Sequence, residues 1–120
     1  WWPANARDQG DITQWLAFAS HEMLSGCMTA RAHIKFGRET DLGLAQQRAK
    51  LALEVLEAHL SANDWLALGR PTLADIACYP YAALAGEGEV TLEPYKNLAK
   101  WFDRICALPG YISMPGLPGA

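Results

Sequence analysis

The sequence predicts an all-α fold, a helical bundle of about five helices around one central capped helix at about residues 72–85. Three observations carry this. Valine occurs only at Val55 and Val90 while alanine and leucine dominate, so strand formers are scarce and helix formers abundant. Apolar residues recur at helical spacing in several segments. Thr72 and Asp75 are spaced as a helix N-cap and its third residue, the reciprocal capping box, with Asp in place of the usual Glu or Gln.

The capped helix organises the rest. The Thr72 hydroxyl can accept from the Asp75 amide, and the Asp75 carboxylate can accept from the Thr72 amide. Asp75 also stands where the positive end of the helix dipole favours an anion. Pro71 and Ile76 are placed to close as a hydrophobic staple. From Ile76 to Gly86 there is no charged residue, and a helix without a polar face belongs in the middle of a domain. It falls far short of the ~20 residues that cross a bilayer. Pro80 lies too deep for a start position, so a kink is expected there rather than an end.

Upstream, Asp11–Met23 reads as an amphipathic helix through Ile12, Trp15, Leu16, Ala19 and Met23, with a start as early as Ala4 permitted. Gly26 weakens it, and Cys27–Phe36 reads as a separate or kinked continuation that stops at Gly37. Thr40 or Asp41 can cap the next helix, with Ala45, Arg48, Leu51, Ala52, Val55, Leu56 and Leu60 on its inner face. Trp65–Leu68 is a short apolar connector. Beyond the capped helix, Glu87–Pro94 reads as a loop. A last helix runs from Tyr95 or Lys96 to Ala107, carrying Leu98, Trp101, Phe102 and Ile105 on one face. Pro109-Gly110 stops it, and Tyr111–Ala120 is a tail that wraps a surface or frays.

Composition bounds the function. A chain of 120 residues is one ordinary domain, able to bury a core without staples. A net charge of −3 argues against a general nucleic-acid surface, which needs clustered positive charge. Cys27, Cys78 and Cys106 are odd in number and widely spaced, which points to neither a disulfide framework nor a zinc site. A reducing cytoplasm is the expected compartment. His21, His33 and His59 share no helical metal-ligand spacing, so no metal is expected. The opening Trp1-Trp2-Pro3, without a Met or a secretory signal, reads as the inside of a longer polypeptide cut at a domain boundary.

The run Gly69-Arg70-Pro71-Thr72-Leu73-Ala74-Asp75-Ile76-Ala77, followed by Tyr79-Pro80-Tyr81, resembles the core helix of the C-terminal domain of cytosolic glutathione transferases. Trp15-Leu16 with Phe18, Trp65-Leu66-Ala67, and Trp101-Phe102 with Arg104-Ile105 and Ala107–Tyr111 are similar to further stretches of that domain. The likeness covers nearly the whole chain and is closest in flavour to bacterial members. It implies an all-helical domain following a thioredoxin-like one, which binds glutathione and carries the residue that activates its thiol. No βαβ pattern for such a domain is present in this sequence, and the family's catalytic residue maps to no position here. The resemblance thus implies the other half of the site: the wall of a pocket for an apolar electrophile, and part of a homodimer interface. In one bacterial class an Asn follows the Trp-Leu pair and a His follows a Glu closely. Here Ala17 follows Trp15-Leu16, and Met23-Leu24 follow Glu22.

Within that frame the candidate pocket residues are Phe18, His21, Glu22, Arg31, Tyr81 and Leu84, with glutathione a co-substrate of an intact protein. Arg31 heads a basic cluster with His33, Lys35 and Arg38, and its planar fork suits a carboxylate. Tyr79 and Tyr81 need partners for their hydroxyls if buried. Cys27 has no adjacent acid–base pair that would mark it as a nucleophile. Thr72 and Asp75 are read as structural, because the capping box explains both. No catalytic constellation, phosphate loop or Ser-His-Asp arrangement emerges. The alternative is a stand-alone protein–protein interaction module of the same fold, without catalysis.

Overall fold

The computed structural model of the chain describes residues 1–117. Helix α1 (Ala6–Phe18) passes without a break into a π-helical segment (Ala19–Met28) and then into α2 (Thr29–Phe36). Helices α3 (Leu42–Leu60), α4 (Leu73–Ala83) and α5 (Lys96–Cys106) follow, with a 3-10 turn over Ala85–Gly88 after α4. The described residues contain no strand. The π segment packs on α3, α1 on α4, α2 on the 3-10 turn, and α5 on α3.

Helix ends follow local chemistry where the sequence supplies a cap. The Asn5 side chain accepts from the Asp8 amide at 2.9 Å, so α1 begins at Ala6, ahead of the first strongly periodic residue. Asp41, rather than Thr40, caps α3 by accepting from the Leu44 amide at 3.0 Å. Helix α2 stops at Gly37 in the left-handed conformation, its amide bonded to the His33 carbonyl at 3.1 Å.

Long π segments are rare, and this one carries a close helix–helix approach. A Cβ at Gly26 would stand 2.6 Å from Ala49 Cα, so the two helix backbones meet where only glycine fits. The Thr29 hydroxyl donates to the Leu24 carbonyl at 2.8 Å, five residues back, and supports the widened turn. The Gly26–Ala49 approach goes with an inner face of α3 that differs from the expected one. Ala45, Ala49, Ala52, Leu53, Leu56 and Leu60 are buried, whereas Arg48, Leu51 and Val55 are exposed. Apolar residues cover more than one stripe of α3, and the small side chain at Ala49 decides which stripe turns inward.

Helix α4 carries both halves of the capping box. It runs on through Pro80 to Ala83, with Ala74, Asp75, Cys78, Tyr79 and Ala82 buried. It is not enclosed on every side as its composition implies: Ile76 is half exposed and faces a surface groove, away from the core. The stretch after α4, expected as a loop from Glu87, instead begins with the 3-10 turn that seats Glu87. Past α5 the chain turns back across α4, and Leu117 is buried against the core. The expected tail thus wraps the surface as far as Leu117, while its last three residues lie outside the described residues.

Candidate functional site

Asp75 sits at the structural centre of α4. Its Oδ2 accepts from the Thr72 amide at 3.0 Å, and its Oδ1 accepts from the Leu66 amide at 3.1 Å and from the Trp101 indole at 2.9 Å. Burial outweighs the opposing pull of these hydrogen bonds and leaves this carboxyl above its ordinary value. One side chain thus ties the cap, the 65–68 connector and α5 together. The Leu73 amide, an orphan donor at the helix start, donates to the Trp1 carbonyl at 3.1 Å, which anchors the N-terminal segment on α4.

Two hollows adjoin on the α4 side. The larger is an apolar groove of about 300 Å³, lined by Trp1, Ile76, Pro80, Tyr111, Ile112 and Met114 among others. Four of these are large apolar side chains left open to solvent: Trp1 55 %, Ile76 51 %, Ile112 90 % and Met114 45 %. The smaller, of about 160 Å³, lies between the π segment with the start of α2, the C-terminal half of α4 and the tail. Cys27, Met28, Arg31, Tyr81 and Leu84 line it, and Pro80 and Met114 are walls of both hollows.

The expected pocket residues therefore divide. Arg31, Tyr81 and Leu84 share the smaller cleft beside α4. Phe18, His21 and Glu22 line a separate cleft of about 210 Å³ between the α1–π rod and α3, together with Arg48, Leu51 and Val55. In the sequence His21 and Glu22 lie opposite or beside the apolar stripe of the first helix and Arg31 lies in a basic cluster, and it is the packing of α3 and α4 on that helix that divides the six between two clefts.

Arg31 has a partner that sequence reasoning missed. Its Nε donates to Glu87 Oε2, and Lys35 Nζ donates to Glu87 Oε1 at 3.0 Å. The two cations hold the Glu87 carboxyl below its ordinary value, the Arg31 bond being the larger cause. Glu87 lies 56 residues beyond Arg31, and no local pattern announces the pairing. The guanidinium also stands 5.5 Å from the centre of the Phe36 ring.

Nearby titratable groups are structural. The Tyr79 hydroxyl meets that of Tyr111 at 2.9 Å and Cys106 Sγ at 3.6 Å, latching the tail to α4, and burial is the main cause raising its phenol. Burial likewise pushes the Cys27 and Cys78 thiols up to about 12, far from a reactive thiolate. Among the described residues no group of three or more His, Cys, Asp or Glu side chains is placed to hold a metal ion. Nor is any helix there long and apolar enough to cross a membrane.

Comparison with known proteins agrees with this architecture. A family model described as "Glutathione S-transferase, C-terminal domain" matches residues 18–109. The chain belongs to the glutathione S-transferase C-terminal domain family. Among curated proteins it is 32 % identical over 114 residues to glutathione S-transferase F9 of Arabidopsis thaliana, covering 87 % of this chain and 53 % of that protein. It is 29 % identical over 124 residues to the glutathione S-transferase-like protein tpcF of Aspergillus fumigatus, covering 90 % and 55 %. A crystal structure of a glutathione S-transferase from Xanthobacter autotrophicus superposes with a TM-score of 0.88 at 29 % identity, over 97 % of this chain and 59 % of that one. A possible glutathione S-transferase from Rhodopseudomonas palustris gives 0.87 at 28 % identity, over 93 % and 58 %. The chain thus spans little more than half the length of these relatives.

Proposed function

We propose that this chain is the helical half of a glutathione transferase. In the working protein, glutathione binding and thiol activation belong to a thioredoxin-like domain on the N-terminal side, and this half supplies the wall against which an apolar electrophile is held. Catalysis then consists of thiol activation in the other domain plus proximity, the reacting atoms being brought into line by the pocket wall. By itself the chain has little or no transferase activity. The observation that carries this reading is the apolar groove on α4 with its adjoining cleft, where large side chains stay open in a chain that spans little more than half of its relatives. A monomeric domain rarely leaves such a patch without use.

The cleft between the first helix and α3 is assigned a different role. Leu51 and Val55 are each at least half exposed there beside Phe18, His21, Glu22 and Arg48, an apolar centre with a charged rim. That composition suits a protein interface, and we assign it to a homodimer of the intact protein. The proposed setting is the cytoplasm, in keeping with three free thiols.

A calorimetric titration of the purified chain with glutathione tests the division of labour. Absence of heat at millimolar ligand is the expected result. Saturable binding would move the glutathione site onto this half and overturn the assignment.

A further inference from the structure

We infer that the cleft at Arg31 and Tyr81 takes a small aromatic acid, a single ring bearing a carboxylate. The inference rests on the reading of the α4 side as the electrophile wall and specifies the class of molecule bound there.

Size comes first. The cleft holds about 160 Å³, and an apolar cavity of ~150 Å³ accommodates one benzene ring. Met28 and Met114 stand among the lining residues with Pro80 and Leu84. Thioethers adapt to irregular shapes and make favourable contacts with ring edges. A long chain or a fused polycycle exceeds this space, so the bound part is one ring.

Charge comes second. The Arg31 side chain is 16 % exposed and Glu87 takes its Nε, while its two terminal amino groups, which are not among the buried unpaired atoms of the described residues, stay within reach of solvent and of a ligand. Tyr81 lines the same cleft, and its hydroxyl has no protein partner among the described residues. A guanidinium bound to one carboxylate at Nε, with its amino groups still reachable, can take a second acceptor, and a carboxylate is the acceptor whose geometry fits its planar fork. The local charge balance agrees: Arg31 and Lys35 face the single carboxylate of Glu87. Apolar walls with two donors left open define a site for an amphiphilic acid rather than for a neutral hydrocarbon.

Two substitutions separate this role from a structural one, because both break the same ion pair but change the anion's surroundings in opposite senses. Arg31→Gln removes the receiving group. Glu87→Gln keeps the guanidinium and removes the competing negative charge. The probes are phenylacetate and its neutral counterpart phenylacetamide, titrated into the full chain while the methyl signals of Met28 and Met114 are followed by NMR. Phenylacetate is expected to bind saturably and to shift both methyls. Its affinity should fall about tenfold to a hundredfold in Arg31→Gln, the worth of a hydrogen bond between charged groups, and rise in Glu87→Gln. If phenylacetamide binds as tightly as phenylacetate, or both substitutions weaken phenylacetate alike, the acid assignment is overturned while the apolar wall stands. If neither compound binds, the assignment fails and the wall is confined to the larger groove.

Discussion

The indole Nε1 of Trp101 donates to the Asp75 carboxylate across 2.9 Å, and both side chains are buried. This bond joins α5 to the start of α4, and the same oxygen accepts from the Leu66 amide. Asp75 therefore acts both as the third residue of a cap and as the junction of three chain segments. Asp75→Ala leaves three buried donors without an acceptor and should cost about 3 kcal/mol or more, at roughly 1–3 kcal/mol per stranded group. Asp75→Asn keeps the shape but turns an amino group toward one set of donors, so it should also destabilise, by less. Urea unfolding of the two variants and of Trp101→Phe would check this. A near-neutral Asp75→Ala would show that the network is not what holds α4 in place.

Gly26 tests helix propensity against packing. Alanine is favoured over glycine in a helix by about 1 kcal/mol, so on propensity alone Gly26→Ala stabilises. The new Cβ would stand 2.6 Å from Ala49 Cα, which is backbone and cannot step aside. Forcing the helices apart should outweigh the propensity gain and destabilise by about 1–3 kcal/mol. Thermal unfolding decides the sign.

Helix α5 has no cap of its own. Glu57 on α3 supplies one, accepting from the amides of Asn97 at 3.0 Å and Leu98 at 2.9 Å. A carboxylate at that end also meets the positive pole of the helix. Glu57→Ala should lose about 0.5–2 kcal/mol, the usual worth of an N-cap. Hydrogen exchange should quicken first at Asn97 and Leu98. Unchanged exchange there would remove Glu57 from this role.

Acid should weaken the Arg31–Glu87–Lys35 cluster. Glu87 titrates below its ordinary value of 4.5 when folded, so the unfolded chain binds the proton more readily. Its contribution to stability is fully present above that ordinary value and is lost as pH falls through the lowered folded value. The stability gap between the native chain and Glu87→Gln should hold constant near neutrality and close in acid, below about pH 4.5. A gap independent of pH would mean that the charge of Glu87 contributes nothing.

Thiol reactivity should divide the cysteines. Cys27 and Cys78 are buried with thiols pushed up to about 12, while Cys106 is partly exposed. Alkylation of the folded chain should therefore modify Cys106 first, with Cys27 and Cys78 following only on unfolding. Rapid labelling of Cys27 would show that the cleft it lines opens further than its packing indicates.

Much of this molecule was legible because its signals are local. A cap, a helical stripe and a terminating glycine each involve residues within about one turn of one another, as at Thr72 and Asp75 or at Phe36 and Gly37. The all-α class and the capped central helix needed nothing more. Arg31 and Tyr81 stand as site candidates on residue chemistry alone, a planar fork that suits a carboxylate and a hydroxyl that needs a partner, and the structure adds that both line one cleft.

What only the tertiary structure decided concerns surfaces that meet across long stretches of chain. Helix α3 has apolar residues on more than one side, and the Gly26–Ala49 contact chose which side is core. Glu57 reaches the start of α5 from 40 residues away, and Glu87 reaches Arg31 from 56. The division of Phe18, His21 and Glu22 from Arg31, Tyr81 and Leu84 has the same origin. Periodicity tells that a face will be covered. Which partner covers it depends on the shape and charge of elements brought together only by folding.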